Sequence, residues 1–344
     1  MAKLNFLPGP VSVLPEVREA FAQEPVSHRG DAFKQCYHET VQRLKKLTNV
    51  RKVALLTGSG TLANEIVAWN LRNQGTGLVL ANGEFGERLV DHANRHGLDF
   101  EKHQIAWGEN FDTSAVLKKL EGKSWVWRTA CETSTGILNP WREITAHCKA
   151  RGIKVCLDTI SAIGNTPLDL SDVHFATASS GKGLGAYAGI AIIFYNHNIA
   201  QSNGAPRYLD LATYQSEDSV PFTMLSNLLF ALHAALVHTD YEAKFSRLEK
   251  MAGHLRAALQ PRNLLLPIRR GQSNFIWTIQ LPQKLNSCEL GAKLLENGIN
   301  VHCKNKYLVE RNWIQISLMG SVAEADVVSL VEGFALALPR GNCV

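Results

Sequence analysis

An aspartate and a lysine are the residues of this chain best suited to carry out chemistry together. Asp158 follows the apolar run Val155–Leu157, and Lys182 lies in the glycine-rich stretch 179–185, which reads SSGKGLG. A lysine amine condenses with the aldehyde of pyridoxal phosphate (PLP) as a Schiff base, and a carboxylate at a strand end keeps the pyridine nitrogen protonated. The pair therefore predicts a PLP site, although a strand cap and a solvated loop lysine would read the same way.

A glycine-rich turn, TGSGT at 57–61, follows the predicted strand 53–57 and opens a helix. Small residues let backbone N–H groups approach a phosphate, and the start of a helix favours negative charge. The turn lacks the lysine of a P-loop and the full GxGxxG spacing, so we do not expect a nucleotide. A phosphate site and a simple tight turn remain the two interpretations.

Two further motifs follow predicted strands. In NGEFGER at 82–88, Phe85 can lay its ring on a planar cofactor, although an isolated phenylalanine is commonly a core residue. In ETSTGILNP at 132–140, polar side chains can hydrogen-bond a ring hydroxyl or an imine, and a helix-entry turn is the alternative. Open α/β sheets place their ligand crevice at such strand ends, so the motifs are expected to meet.

The elements that must position these motifs alternate between short apolar runs and longer amphipathic ones. This pattern predicts an α/β fold, a mostly parallel sheet covered by helices. Predicted strands are 53–57, 77–81, 124–130, 154–158, 174–179 and 189–194. Predicted helices between them are 62–73, 86–97, 114–121 and 141–151.

The chain is long enough for two domains, and we expect a large cofactor-binding domain at 1–240 and a smaller C-terminal α/β domain at 241–344. Residues 221–259 read as one long connecting helix. Strands near 275–279 and 313–318 and helices near 289–297 and 323–338 follow it. The first ~15 residues are expected to pack on the small domain or on a partner subunit.

Composition limits the class of protein. Apolar residues make up 45% and charged residues 19% of the chain, the formal net charge is +5, and no apolar run reaches the ~18 to 20 residues of a membrane span. Basic residues cluster only at 43–46 and 269–270, which argues against a nucleic-acid partner. The seven cysteines are scattered without CxxC spacing, so neither a disulfide framework nor a metal site is expected. With no targeting signal at either end, we expect a cytoplasmic protein.

Taken together, the motifs resemble the class V, fold type I, PLP-dependent aminotransferases, in the branch of the alanine-glyoxylate, serine-glyoxylate and 2-aminoethylphosphonate enzymes. The resemblance runs from PGP at 8–10 and SHRGDAF at 27–33, through the motifs above and LDTISAIG at 157–164, to QISLMG at 315–320. It covers nearly the whole chain.

The resemblance implies that Lys182 forms the internal aldimine and shuttles the substrate proton, while Asp158 pairs with the pyridine nitrogen. It also implies homodimers with the site at the subunit interface. The other implied cofactor contacts are Ser59, Gly60 and Thr61 at the phosphate, Phe85 over the ring, Thr133 near the 3-oxygen, Ser180 beside the lysine, and Ser219 at the phosphate of the neighbouring subunit.

Two positions depart from the family pattern. Gly181 stands where the family has glutamine or asparagine, and Gln315 stands where an arginine usually clamps the substrate carboxylate. A neutral amide lacks the charge and fork of a guanidinium, so an ordinary α-amino acid donor is in doubt. Candidate replacement cations are Arg311, which would share the strand parity of Gln315, and Arg29. The alternative is a donor that has no carboxylate at that point.

The leading functional hypothesis is transamination from a small amino donor to an oxo-acid acceptor by a ping-pong cycle. A PLP lyase of the cysteine desulfurase type is the enzymatic alternative. Such lyases usually carry histidine before the lysine and over the ring, where this chain has Gly181 and Phe85. A third hypothesis, which Gln315 permits, is a binding or regulatory protein that keeps the fold and the cofactor.

Overall fold

The computed structural model describes residues 4–201, 204–260, 264, 266, 268 and 270–338. The described strands are β1 (Leu4–Asn5), β2 (Lys52–Thr57), β3 (Gly77–Ala81), β4 (Phe100–Gln104), β5 (Trp125–Thr129), β6 (Cys131–Glu132), β7 (Ile137–Leu138), β8 (Lys154–Asp158), β9 (Phe175–Ser179), β10 (Ile190–Tyr195), β11 (Ile276–Gln280), β12 (Ile299–Asn300) and β13 (Trp313–Ser317). The described α-helices are α1 (Pro15–Phe21), α2 (Asp31–Thr48), α3 (Gly60–Leu71), α4 (Glu84–Arg95), α5 (Thr113–Lys119), α6 (Trp141–Ala150), α7 (Leu211–Ser216), α8 (Ser226–His238), α9 (Tyr241–Leu259), α10 (Ser287–Glu296), α11 (Lys306–Arg311) and α12 (Glu324–Ala337).

Seven strands form the central sheet, in the order β2-β10-β9-β8-β5-β3-β4. β10 is antiparallel to both of its neighbours, and the other pairings are parallel. β3, β5, β9 and β10 are buried along their whole length, as expected for a sheet with helices on both faces. The prediction of an α/β fold with a mostly parallel sheet is confirmed.

The sheet separates two hydrophobic clusters. Along β5, Trp125 and Trp127 pack into one cluster with α3 and α4, whereas Val126 points into the larger cluster on the other face. This alternation follows from the two-residue period of a strand. The motifs at the strand ends are therefore held by a core on either side of the sheet.

Within the central sheet, β4 is the strand that the sequence analysis missed. It reads FEKHQ, with charged residues in the middle, and pairs only with β3 at the edge of the sheet. Edge strands tolerate such charges because one side of the strand faces solvent. Each of the six predicted sheet strands is present, with ends shifted by no more than a residue.

The prediction of one long helix over 221–259 is wrong. The segment contains two helices, α8 and α9, separated at Thr239 and Asp240. The Asp240 carboxylate accepts a hydrogen bond from the backbone N–H of Ala243 at 3.1 Å, which caps the start of α9. Aspartate is a favoured cap, so a new helix begins there.

The C-terminal part contains the antiparallel pair β11 and β13, which packs with α9, α10 and α12 into the larger core. β1 pairs with β12 in parallel, with Leu4 opposite Ile299. The start of the chain therefore lies on this C-terminal part, and the division into domains at 240/241 stays a prediction. Among the described residues, none of the helices is long and apolar enough to cross a membrane.

Candidate active site

A cavity of about 390 Å³ lies at the carboxyl ends of the central strands. Seven of the residues predicted for the site line it: Ser59, Gly60, Thr61, Phe85, Thr133, Asp158 and Lys182. The remaining predicted residues do not line it: Ser180, Ser219, Arg29, Arg311 and Gln315. Residues more than 120 positions apart, such as Ser59 and Lys182, thus meet at the carboxyl ends of the strands, as expected for an open α/β sheet.

Asp158 is the buried acid of this cavity, at the end of β8. One carboxylate oxygen accepts a hydrogen bond from Asn64 Nδ2 at 2.9 Å, and the other accepts one from the N–H of Ile160 at 2.9 Å. Thr177 Oγ1 donates to Asn64 Oδ1 at 2.8 Å and fixes that amide. Burial nevertheless raises the pKa of Asp158, because two neutral donors do not replace water around a charge.

Lys182 follows β9 and extends into the cavity. Its Nζ donates to the backbone oxygen of Pro8 at 3.2 Å and lies 5.7 Å from the centroid of the Phe85 ring. Loss of hydration lowers the pKa of Lys182, and the charge of Asp158 opposes that shift. A lowered pKa increases the neutral fraction of the amine, which is the nucleophilic form.

The turn between β2 and α3 is the candidate anion site. Ser59 is the N-cap of α3, and Gly60 is its first residue. A Cβ on Gly60 would lie 2.4 Å from Ile160 Cδ1, so a larger residue there would require the Ile160 side chain to move. Ser59, Gly60 and Thr61 line the cavity where α3 begins, and the start of a helix, whose first N–H groups have no carbonyl partner one turn earlier, favours a phosphate.

Phe85 is held in place by a buried carboxylate that the sequence analysis did not single out. Glu132 accepts hydrogen bonds from the N–H groups of Phe85 and Gly86, at 3.2 and 2.8 Å, and from Ser134 Oγ at 2.6 Å. These N–H groups belong to the first turn of α4, where an acid is favoured. Burial raises the pKa of Glu132, and the hydrogen bonds oppose that shift.

Gln315 is fully buried and its amide is already bonded to the protein. Nε2 donates to the backbone oxygen of Thr133 at 2.6 Å and to Thr278 Oγ1 at 2.8 Å. On the other side of the amide, Tyr307 donates to Oε1 at 3.5 Å. Gln315 therefore holds the turn that presents Thr133, and it does not reach the cavity wall as a substrate-binding candidate would.

The two candidate replacement cations, Arg29 and Arg311, contact protein groups outside the cavity. The guanidinium of Arg29 donates to the backbone oxygens of Val220 and Pro221, both at 2.7 Å. The premise that Arg311 shares a strand with Gln315 is wrong, because Arg311 ends α11 and a left-handed residue separates it from β13. Its guanidinium lies 3.8 Å from the Trp107 ring centroid.

The two residues that precede Lys182, Ser180 and Gly181, are held in place by the segment 187–190. Ser180 Oγ donates to the backbone oxygen of Tyr187 at 2.6 Å and accepts from the N–H of Ile190 at 3.1 Å. A Cβ on Gly181 would lie 2.7 Å from Ala188 Cβ, so the glutamine or asparagine of the family pattern does not fit without a backbone shift. Ser219 Oγ is buried and has no hydrogen-bond partner within the described residues.

The sequence analysis did not predict several residues that line the cavity. Arg88 belongs to the motif at 82–88, which was the available signal, whereas Asn64, His92 and Asn305 carried none. His92 Nδ1 lies 2.6 Å from Glu65 Oε1, which orients the ring at the cavity wall. Helix side chains such as these can only be assigned once the helix is docked on the sheet.

The sheet order and the lysine–aspartate cavity define an α/β enzyme of the PLP-dependent aminotransferase type. The chain belongs to the class V aminotransferase family, whose family model matches residues 16–208. The resemblance stated from sequence is thereby confirmed.

Relatives and solved structures agree with this assignment. An uncharacterized aminotransferase of Methanocaldococcus jannaschii is 27% identical over 98% of this chain and 92% of its own length. A 2-aminoethylphosphonate–pyruvate transaminase of Pseudomonas fluorescens is 30% identical over 67% of this chain and 66% of its own. The crystal structure of alanine–glyoxylate aminotransferase from Nostoc sp. is 26% identical, has a TM-score of 0.90, and is matched over 98% of this chain and 96% of that one.

Proposed function

We propose that this chain binds PLP in the cavity through Lys182 and transfers an amino group from a small amino donor to an oxo acid. The observation that carries the proposal is the meeting of a nucleophilic amine and a buried carboxylate, Lys182 and Asp158, in one cavity. The family to which the chain belongs implies the same cofactor.

The residues present fit the cofactor. Asp158 is a buried acid whose charge is poorly compensated, and a protonated pyridine nitrogen would supply the missing partner. The start of α3 offers free N–H groups for a phosphate, and Phe85 offers a ring face for a planar group. Each part of PLP thus has a matching group on the cavity wall.

Once bound, PLP supplies an aldehyde that condenses with amines and a ring that withdraws electrons from the substrate carbon. Lys182 would hold the cofactor through its amine, and the same amine, once free, would move the proton at the substrate carbon. Asp158 would keep the proton on the ring nitrogen, and Thr133, on the cavity wall, would offer its hydroxyl to the ring oxygen. The donor leaves as a carbonyl compound before the acceptor enters, so the cycle is ping-pong.

The donor is proposed to be unusual for the family, because position 315 carries no positive charge. Gln315 is buried and bonded to Thr133 and Thr278, so it provides neither a charge nor a free donor for a carboxylate. Discrimination between donors must therefore come from other residues on the cavity wall.

We also propose a homodimer in which Ser219 reaches the phosphate of the neighbouring subunit. Ser219 does not line the cavity of its own chain. The segment that carries it lies beside exposed apolar side chains, Leu225 and Val26, which are 47% and 40% exposed. Burial of these apolar groups against a second copy of the chain would be favourable.

The test is the absorbance spectrum of purified wild type and Lys182→Ala with PLP, with and without borohydride. Wild type should show the visible band of the lysine-linked cofactor and keep the cofactor covalently after reduction, whereas Lys182→Ala should do neither. Lys250→Ala, on an exposed part of α9, is the control and should behave as wild type.

The same samples are then titrated with amines, amino acids and aminophosphonates, with an oxo acid as acceptor. Transamination predicts loss of the visible band with one donor and its return with the acceptor. Release of ammonia or sulfide without an acceptor would instead indicate a lyase. A wild type that forms no lysine-linked band would show that the proposed function is wrong.

A further inference from the structure

Arg88 is a permanent cation on the wall of the cavity. It lies one turn after Phe85 on α4, and its guanidinium is 4.8 Å from the Phe85 ring centroid. Lys182 Nζ lies 5.7 Å from the same centroid. The Arg88 guanidinium and the Lys182 amine therefore share one aromatic neighbour, at the place where we propose that the reaction occurs.

The other arginines considered for the substrate are engaged away from the cavity. Arg29 is bonded to two backbone oxygens, and Arg311 lies against Trp107. Within the part of the chain that the structure describes, Arg88 is the one arginine that lines the cavity. A donor with a negative head group thus meets Arg88 as its available guanidinium partner.

The guanidinium of Arg88 is held in a defined orientation. Glu84 Oε1 accepts hydrogen bonds from Arg88 Nε at 3.1 Å and from Nη2 at 2.9 Å. These bonds use one side of the group, and half of the Arg88 side chain remains exposed. A guanidinium has five N–H donors, so donors remain for a forked pair with a carboxylate, phosphonate or sulfonate.

We infer that Arg88 binds the acidic head group of the amino donor, with Glu84 as its positioning residue. The substrate class is a short amine that carries a carboxylate, phosphonate or sulfonate. In this chain the anion is recognised from α4, on the side of Phe85, instead of from position 315 on β13. This inference rests on the proposed function and adds its substrate class.

The chain offers a matched control on the same helix. Arg95 is paired with Asp91 at 2.6 Å, four residues earlier, as Arg88 is paired with Glu84, but Arg95 lies outside the cavity lining. The rate of transamination is measured for wild type and for three variants: Arg88→Gln, Arg88→Lys and Arg95→Lys. Each protein is tested with four donors: L-alanine, 2-aminoethylphosphonate, taurine and propylamine. The first three donors distinguish the kind of acid, and propylamine has none.

Arg88→Gln should raise KM for the preferred acidic donor by ~10 to 100-fold, with kcat close to wild type, because a charge-assisted pair is lost. The KM of Arg88→Lys should lie between those of wild type and Arg88→Gln, since lysine keeps the charge but lacks the forked donors of a guanidinium. Arg95→Lys should match wild type with every donor, and the loss in Arg88→Gln relative to Arg95→Lys should be larger with the acidic donor than with propylamine.

Binding is also measured without turnover. Propionate, ethylphosphonate and ethanesulfonate carry the same acids but no amine, and calorimetry should show binding of the preferred one to wild type and to Arg95→Lys, but not to Arg88→Gln. Glu84→Gln should raise KM for the acidic donor a few-fold, roughly, and have no further effect in the Arg88→Gln background.

The outcomes separate the two proposals. If wild type forms no lysine-linked cofactor band, the proposed function is wrong and this inference falls with it. If the band and transamination are normal but Arg88→Gln matches Arg95→Lys in both KM and calorimetry, Arg88 does not recognise the donor and this inference alone is overturned.

Discussion

At the scale of single residues, the site is built from charges whose hydration is only partly replaced. Asp158 accepts two hydrogen bonds from neutral groups, and Lys182 donates one to a backbone oxygen. Burial raises the pKa of the acid and lowers that of the amine. Shifts in these directions are common where a ligand completes the electrostatics of a site.

We predict that Asp158→Asn stabilises the cofactor-free protein near neutral pH while lowering transamination by ~100-fold or more. The pKa of Asp158 is higher in the folded than in the unfolded chain, so its contribution to stability is present at low pH and is lost as pH rises through the folded pKa. An amide does not ionise, so the advantage of the variant should grow with pH. Urea unfolding between about pH 4 and pH 8 measures it.

The control for this prediction is Asp172→Asn, which removes an exposed ion pair of 2.7 Å with Lys149. Exposed pairs contribute ~0 to 1 kcal/mol, so this variant should change little over the same pH range. Equal pH dependence of wild type and Asp158→Asn would show that burial of Asp158 does not destabilise the cofactor-free protein.

At the scale of elements, α9 is connected to the segment that carries Lys182. Lys244 on α9 is buried, and its Nζ donates to the backbone oxygen of Gly183 at 2.5 Å. On the opposite side, a Cβ on Gly183 would lie 2.1 Å from the backbone oxygen of Ile163. The residue after Lys182 is therefore held between α9 and the turn that follows β8.

The buried lysine predicts a pH effect on stability. Burial lowers the pKa of Lys244 to about 7, whereas an unfolded lysine titrates near ~10.4. Between these values the unfolded chain binds a proton that the folded chain lacks, so the free energy of unfolding rises with pH. Relative to Lys244→Met, wild type should gain up to ~1.4 kcal/mol per pH unit from pH 7 to pH 9 in urea unfolding.

Lys250→Met, on an exposed part of the same helix, is the matched control, and its difference from wild type should stay constant with pH. A constant difference for Lys244→Met as well would mean that Lys244 is hydrated in the folded protein. The bond to Gly183 would then contribute little to the position of Lys182.

At the scale of the whole molecule, the proposed dimer gives each site residues from both subunits. Val26, Tyr208 and Leu225 are exposed apolar residues, and the N–H of Val26 donates to Ser226 Oγ at 2.9 Å, next to Leu225. These residues flank the segment that carries Ser219. Burial of this surface against a second copy would bring Ser219 toward the neighbouring cavity.

Subunit mixing tests the shared site. Lys182→Ala and Ser219→Asp should each be inactive alone, the second because its charge repels the phosphate. A mixed dimer has one site with both native residues if Ser219 serves the neighbour, so unfolding and refolding an equal mixture should restore about a quarter of wild-type activity. If Ser219 serves its own subunit, mixing restores nothing.

The central strands, and the motifs that follow them, could be predicted from the sequence because they depend on local signals. Hydrophobic periodicity identified the buried strands, and the glycine-rich turns at 57–61 and 179–185 marked where a cofactor could be approached. The pairing of Asp158 with Lys182 required only that parallel strands end at one edge.

The tertiary structure decided which polar groups were free to act. Gln315 bonds to Thr133, 182 positions away, and Arg29 bonds to Val220, 191 positions away, so neither had a local signal of being engaged. Arg88 became a candidate because the docking of α4 places it on the cavity wall. Local sequence patterns determine element type and turn chemistry, whereas the partner of a side chain depends on long-range packing that they do not encode.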